Sequence, residues 1–292
     1  MSQNEESPDS EVKALEIGNW RLKLALPTFV HEHRDHLIAV VLAAAEGQLV
    51  QPMRRSRRAR TFQTQFAAGA HAPISLFVKV IDAPRGGRRL RRMRRGSLAC
   101  HVVRITGELE SAGIAAPAVW ISGYDRGSGR ELLVTQRAEG DGPLRTLAGL
   151  VGAVAAKRAL LRALGVQIAR LHRGGFVHGD LTPFNIFIVR SEPARFVLLD
   201  HEGTRRSFFI GRTRRQVRNF VQLGHFNLPG LTRTDRLRVL TAYAAASNSR
   251  DPRTLTRRIN AMLVRRIRRD GGLVDARFSG APKIDAAQST AV

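Results

Sequence analysis

Cysteine occurs once in this chain of 292 residues, at Cys100, so no intrachain disulfide is possible and a reducing compartment is consistent. Cys100 lies among apolar residues of a helical pattern and reads as a buried structural thiol. No run approaches the roughly 20 apolar residues of a membrane span; His36–Ala45 is the best. Met1–Glu11 is acidic and polar, unlike a signal peptide, so the expectation is a cytoplasmic chain without a transmembrane anchor. There is no internal repeat, no zinc-ligand spacing and no helix-turn-helix pattern. Lysine is scarce, at positions 13, 23, 79, 157 and 283 only, in a chain with 48 lysines and arginines and a formal charge of +24. A GC-rich genome and selection for a phosphate-rich or membrane-surface partner would each produce this arginine excess, and composition does not separate them.

What is present divides into a strand-bearing first half and a helical second half. Residues 1–14 and the tail from about 271 have the composition of disordered ends. Ser75–Ile81 is an apolar, β-branched run with one lysine inside it, a buried strand with Thr61–Ala67 as its antiparallel partner. After the Arg/Gly-rich Gly86–Gly96 comes a helix, with Ser97 as N-cap, apolar residues at 98, 102, 105 and 109, and a stop at Gly113. Pro117–Gly123 and Glu131–Gln136 read as two more strands. Ala155–His172 is a second helix, ended by Gly174-Gly175. Next come the segment HGDLTPFN, a strand Ile186–Arg190, a turn Ser191–Ala194 and a strand Arg195–Leu199. Helical patterns at about 212–224, 232–247 and 252–269 complete the chain.

The chemistry gathers at the mouth of that hairpin. Asn185 precedes its first strand and Asp200 follows its second, so antiparallel pairing brings an amide oxygen and a carboxylate together. These are ligands for Mg²⁺, a hard cation that also holds phosphates. Asp180, in the same loop, is placed to accept the proton of an attacking hydroxyl. Lys79, an ammonium inside an apolar strand of an arginine-using chain, suits the α/β-phosphates of ATP. His178 reads either as a brace that holds the loop by hydrogen bonding or as a contact to substrate. Glu202 reads equally as an aid to the metal or as a solvent contact, and His31-Glu32-His33 with His36 as surface or helix-start residues.

The strand lysine in FVKV, the segment His-Gly-Asp-x-x-x-x-Asn and Leu-Leu-Asp, in this order, resemble the lysine strand, catalytic loop and metal-binding aspartate of the protein-kinase-like superfamily. Within it the chain is similar to the lipopolysaccharide kinase family, which phosphorylates Kdo or heptose of the inner core. The likeness runs from about Phe62 to Ser247 and includes Ser97-Leu98-Ala99, Ala112–Pro117, Leu171–Asn185, Leu198–Arg205, Arg236–Leu240 and Ala242-Tyr243. It implies an α+β, bilobal protein-kinase-like fold. A small antiparallel-sheet N-lobe with one main helix spans 15–137, and a mostly helical C-lobe spans 138–270. It also implies ATP and Mg²⁺, with Asp180 as catalytic base, Asn185 and Asp200 as metal ligands, Lys79 on the ATP phosphates, and Val134, Thr135, Gln136 and Arg137 lining the adenine hinge. The chain departs from the pattern in two places. No glutamate stands mid-helix near Val102, and no glycine-rich loop precedes Lys79.

Gly179 in place of an arginine, Thr182 in place of a lysine and the absence of an Ala-Pro-Glu segment argue against a protein acceptor and for a sugar, free or in a lipopolysaccharide precursor. The clusters Arg54–Arg60 and Arg85–Arg95 are either contacts to such phosphates, or to the anionic cytoplasmic face of the inner membrane, or solvated loops. Other readings are a small-molecule kinase of the aminoglycoside or choline type, a pseudokinase, and, ranked low, a nucleic-acid binder.

Overall fold

Apolar and polar residues alternate along Trp20–Leu24, and every second side chain is buried, as a half-buried strand requires. The computed structural model describes residues 13–48, 54–56, 58–69, 72–83, 97–150, 152–189, 194–207, 212–247 and 251–275. They form two units, one within Met1–Gly107 and Pro117–Arg137, the other within Glu108–Ala116 and Ala138–Val292.

The first unit is built on a seven-stranded sheet of order β1-β2-β6-β7-β5-β4-β3. Its strands are β1 (Lys13–Ile17), β2 (Trp20–Leu24), β3 (Arg54–Arg55), β4 (Ala59–Phe66), β5 (Ile74–Ile81), β6 (Val119–Asp125) and β7 (Glu131–Gln136), and all pairings are antiparallel. Helix α1 (Arg34–Glu46) buries Leu37, Ile38 and Val41, which share a core with Trp20, Leu22, Phe62, Val78, Val80, Trp120 and Val134. Helix α2 (Leu98–Ser111) places Ala99 and Val102 against Leu133. Its start is held twice. Ser97 Oγ accepts from the Cys100 amide at 3.3 Å, and the buried Glu131 carboxylate accepts from Ser97 Oγ at 2.8 Å and the Ala99 amide at 2.7 Å. A carboxylate there also favours the helix dipole.

The second unit is mostly helical: α3 (Pro143–Ala148), α4 (Val154–Arg173), α5 (Arg212–Gly224), α6 (Arg233–Ala246) and α7 (Pro252–Arg269). Helices α4 and α6 approach so closely at Gly165 that a Cβ there would lie 2.4 Å from the Val239 carbonyl oxygen. Thr232 and Asp235 form a capping box at the start of α6. Short strands connect the helices: β8 (Phe176–Val177), the hairpin β9 (Ile186–Val189) and β10 (Arg195–Leu198), β11 (Arg205–Arg206), β12 (Phe226–Asn227) and β13 (Val274–Asp275).

The α+β class holds, and β7, α5 and α7 have the expected bounds. Other expectations are corrected. Lys13 and Ala14 belong to a strand rather than to a disordered end. The sheet unit has α1 in addition to its expected main helix. The first sheet strand after α2 runs Val119–Asp125 rather than Pro117–Gly123. Cys100 is exposed, not buried, because it follows Ala99 on the helix and points away from Leu133. The cluster Arg85–Arg95, Arg57, Arg190, Ser191–Pro193 and the tail beyond Asp275 lie outside the described residues. Among the described residues no helix is long and apolar enough to cross a membrane.

Candidate active site

The β9–β10 hairpin closes as its sequence implies: Leu198 pairs with Ile186, and one step beyond the ladder the Leu199 amide donates to the Asn185 carbonyl at 2.9 Å. Asp200 follows at once, at φ 60°, the one described non-glycine residue in the left-handed region. Asparagine and aspartate reach this region at lower cost than other residues with a Cβ. Asp180 and Asp200 are both exposed, whereas the histidine beside each is buried.

Those histidines are structural and neutral. His178 Nδ1 accepts from the Asp180 amide at 3.1 Å, so Nε2 carries the proton and donates to the Leu199 carbonyl at 2.9 Å. This ties the loop from His178 to Asn185 to the segment bearing Asp200. Burial holds the His178 pKa below the ordinary imidazole value, against the opposing pull of the Leu199 carbonyl and the two aspartates. His201 donates from Nε2 to the Leu198 carbonyl at 2.7 Å and accepts at Nδ1 from Thr204 Oγ1 at 3.1 Å. Burial, with His178 nearby, lowers its pKa to about 4. The same two segments touch at glycines: a Cβ on Gly179 would lie 2.4 Å from Gly203 Cα. Any side chain between His178 and Asp180 would push them apart.

Asp180 is held at both carboxylate oxygens. Asn185 Nδ2 donates to the Asp180 carbonyl at 2.8 Å and to Oδ2 at 3.3 Å, while Gln222 Nε2 donates to Oδ1 at 3.2 Å and to the Gly179 carbonyl at 3.0 Å. With its nitrogen on Asp180, Asn185 has its amide oxygen left as an acceptor. That oxygen and the Asp200 carboxylate are hard donors, which fit Mg²⁺ in the company of phosphate and water. Among the described residues no group of three or more His, Cys, Asp or Glu suits a metal.

Lys79 is half-buried on β5, paired with Leu133 and Thr61. Cross-strand partners share a face, so Lys79 lies on the side where Leu133 meets α2. Of the residues expected at an adenine hinge, Val134 is fully buried in the core of the opposite face, Thr135 and Gln136 are half-buried, and Arg137 is exposed. The Gln136 and Arg137 amides donate to the Ala118 and Ser75 carbonyls. The expected residues thus fall into Lys79 and Val134–Arg137 in the first unit, and His178, Asp180, Asn185 and Asp200 in the second.

Sequence reasoning missed Asn219 and Gln222, two amides one turn apart on α5. Asn219 Oδ1 accepts from the His178 amide at 3.2 Å and from His172 Nε2 at 3.1 Å, and its nitrogen donates to the His178 carbonyl and to Gln222 Oε1. Tyr243 donates in turn to His172 Nδ1 at 2.9 Å. Side-chain type alone does not single them out, since the same helix also carries Gln216 and Thr213. An apolar cavity of about 740 Å³ in this unit, lined by residues such as Leu161, Phe196, Phe220 and Leu263, carries no acidic side chain, and its Phe220 packs edge-on against His172 and Tyr243.

The model of the lipopolysaccharide kinase (Kdo/WaaP) family matches residues 79–243, more than half of the chain, beginning at Lys79 and ending at Tyr243. The chain belongs to that family. Similar solved structures are WbdD, at 20% identity over 74% of this chain and 49% of that one, TM-score 0.42, and the bifunctional kinase-methyltransferase WbdD, at 20% over 70% and 51%, TM-score 0.40. A third is WbdD with the kinase inhibitor LY294002, at 21% over 68% and 46%, TM-score 0.38. This family member spans about half the length of those chains. No curated protein matches it.

Proposed function

We propose that this chain is an ATP-dependent phosphotransferase that places the γ-phosphate on a hydroxyl of a lipopolysaccharide inner-core sugar, Kdo or heptose. The observation that carries the reading is the catalytic loop. Asp180 is exposed and held at both oxygens, and Asn185 and Asp200 are drawn together by the hairpin within the stretch that matches the family.

Asp180 accepts the proton as the sugar oxygen forms its bond to phosphorus and the bond from phosphorus to the bridging oxygen of ADP breaks. Asn185 Oδ1 and Asp200 would hold Mg²⁺, which supplies neutralisation of phosphate charge. His178 keeps the loop against the Asp200 segment without taking a proton. Lys79 contacts the α/β-phosphates, and the strand end at 134–137 holds the adenine. On this reading residues 15–137 and 138–270 are the nucleotide and catalytic lobes. Arg54–Arg60 and Arg85–Arg95 contribute contacts to the anionic acceptor or to the cytoplasmic membrane face that presents it.

Labelled ATP and dephosphorylated lipopolysaccharide test the reading. Transfer to the core sugars is expected, and Asp180→Asn is expected to lower its rate by about 10²–10⁴-fold. Unchanged transfer by Asp180→Asn, or unaltered core phosphate by mass spectrometry in cells lacking the protein, overturns it.

A further inference from the structure

Gln222 takes no proton and holds no metal in the proposed reaction, yet its side chain makes four hydrogen bonds at the catalytic loop. Its nitrogen donates to the Gly179 carbonyl and to Asp180 Oδ1; its oxygen accepts from the Leu181 amide at 3.4 Å and from Asn219 Nδ2 at 3.2 Å. Three successive residues, Gly179, Asp180 and Leu181, are thereby read by one amide. Aspartate has two side-chain torsions, and an exposed aspartate ordinarily samples several rotamers. Asn185 on Oδ2 alone would leave Asp180 free to swing about that contact; a second donor on Oδ1 removes the freedom.

The donor must also be neutral and two-faced. A methionine of the same length would leave the Gly179 carbonyl and Leu181 amide without this partner. A glutamate would set a second carboxylate against Asp180 and lose both donors. Gln222 is in turn held by Asn219, so the chain Tyr243–His172–Asn219–Gln222 runs from α6 through α4 and α5 to the carboxylate. Each donor in it is matched to an acceptor, which fixes the direction of every amide and imidazole.

We infer that Gln222 is a positioning residue that fixes the Asp180 carboxylate for proton acceptance, acting through Asp180 and not on substrate. The inference rests on Asp180 being the base. Positioning at a reacting centre is worth much of a catalytic effect even when no bond to substrate is lost.

A double-mutant cycle on the full chain separates this role from a structural one, using transfer from labelled ATP to dephosphorylated lipopolysaccharide. Gln222→Met is expected to lower kcat about 10–100-fold and to change the KM for ATP less than about twofold. In the Asp180→Asn background the same substitution is expected to change kcat less than about twofold, because the group it positions is already lost. Gln222→Glu repeats the cycle if Gln222→Met does not fold. Equal losses in both backgrounds, or a kcat within twofold of wild type for Gln222→Met or Gln222→Glu, overturn the inference. Asp180→Asn alone decides the base assignment, so the two failures are distinguishable.

Discussion

The stretch from Gly174 to Val189 contains no arginine, whereas α7 contains seven, at 253, 257, 258, 265, 266, 268 and 269. In the first region Asp180 is surrounded by neutral groups with fixed partners: the His178 imidazole, the Asn185 amide and Gly179 in backbone contact with Gly203. In the second, arginines 257, 258, 265, 266, 268 and 269 are exposed, and Arg266 and Arg269 both pair with the one acid Asp270. Arginine in this protein is abundant along the exposed helix and absent from the closely packed loop. A high net charge therefore describes the surface and says little about the chemistry.

That contrast can be broken most sharply at Gly179. Gly179→Ala is expected to destabilise the protein by about 3 kcal/mol, the upper end for an overpacked site, since the neighbouring atoms belong to the Gly203 backbone and not to a flexible side chain. Denaturant unfolding measures it, and a loss below about 1 kcal/mol would show the two segments to be less closely bound than described.

Next is the neutrality of the buried imidazoles. His201 takes its proton at about 4 in the folded chain and near 6.5 when unfolded. Between these values the unfolded chain binds the extra proton, so stability is complete above about 6.5 and falls as pH drops towards 4. The loss amounts to about 2–3 kcal/mol. His178 is depressed in the same direction and adds to it. His201→Gln is expected to flatten the fall in Tm between pH 7 and pH 4.5.

A smaller effect attends Tyr243→Phe, which removes the donor to His172 Nδ1 and leaves a buried ring nitrogen without that hydroxyl; about 1 kcal/mol is expected in the same unfolding experiment. Smallest of all is Arg258→Gln with Arg265→Gln on α7. Both side chains are exposed, and a change within about 0.5 kcal/mol is expected. A large loss there would erase the distinction between the two regions.

Much of the loop from His178 to Asn185 was legible in the sequence because its logic is local. HGDLTPFN, two short apolar strands and the terminal aspartate imply a hairpin mouth from spacing alone, and the Leu199–Asn185 bond closes it. Less legible was what holds that mouth. Asn219, Gln222, His172 and Tyr243 come from three helices, and no periodicity announces which polar residue of a helix turns inward. Glu131 at the start of α2 was invisible for the same reason: its partners Ser97 and Ala99 lie 34 and 32 positions away. The β1–β2 hairpin was a different kind of miss. Its signal, Gly18-Asn19 between alternating residues, was present, and Gly18 sits at φ 56° between the paired Ile17 and Trp20.

The backbone at Asp200 sets a rule for anyone replacing it. Alanine at φ 60° would bear the conformational penalty of a left-handed residue besides losing its carboxylate, so a dead alanine variant mixes two causes. Asparagine tolerates the turn and deletes only the charge. The interval between the two variants is a measure of how much of the site depends on the shape of the chain at this one residue.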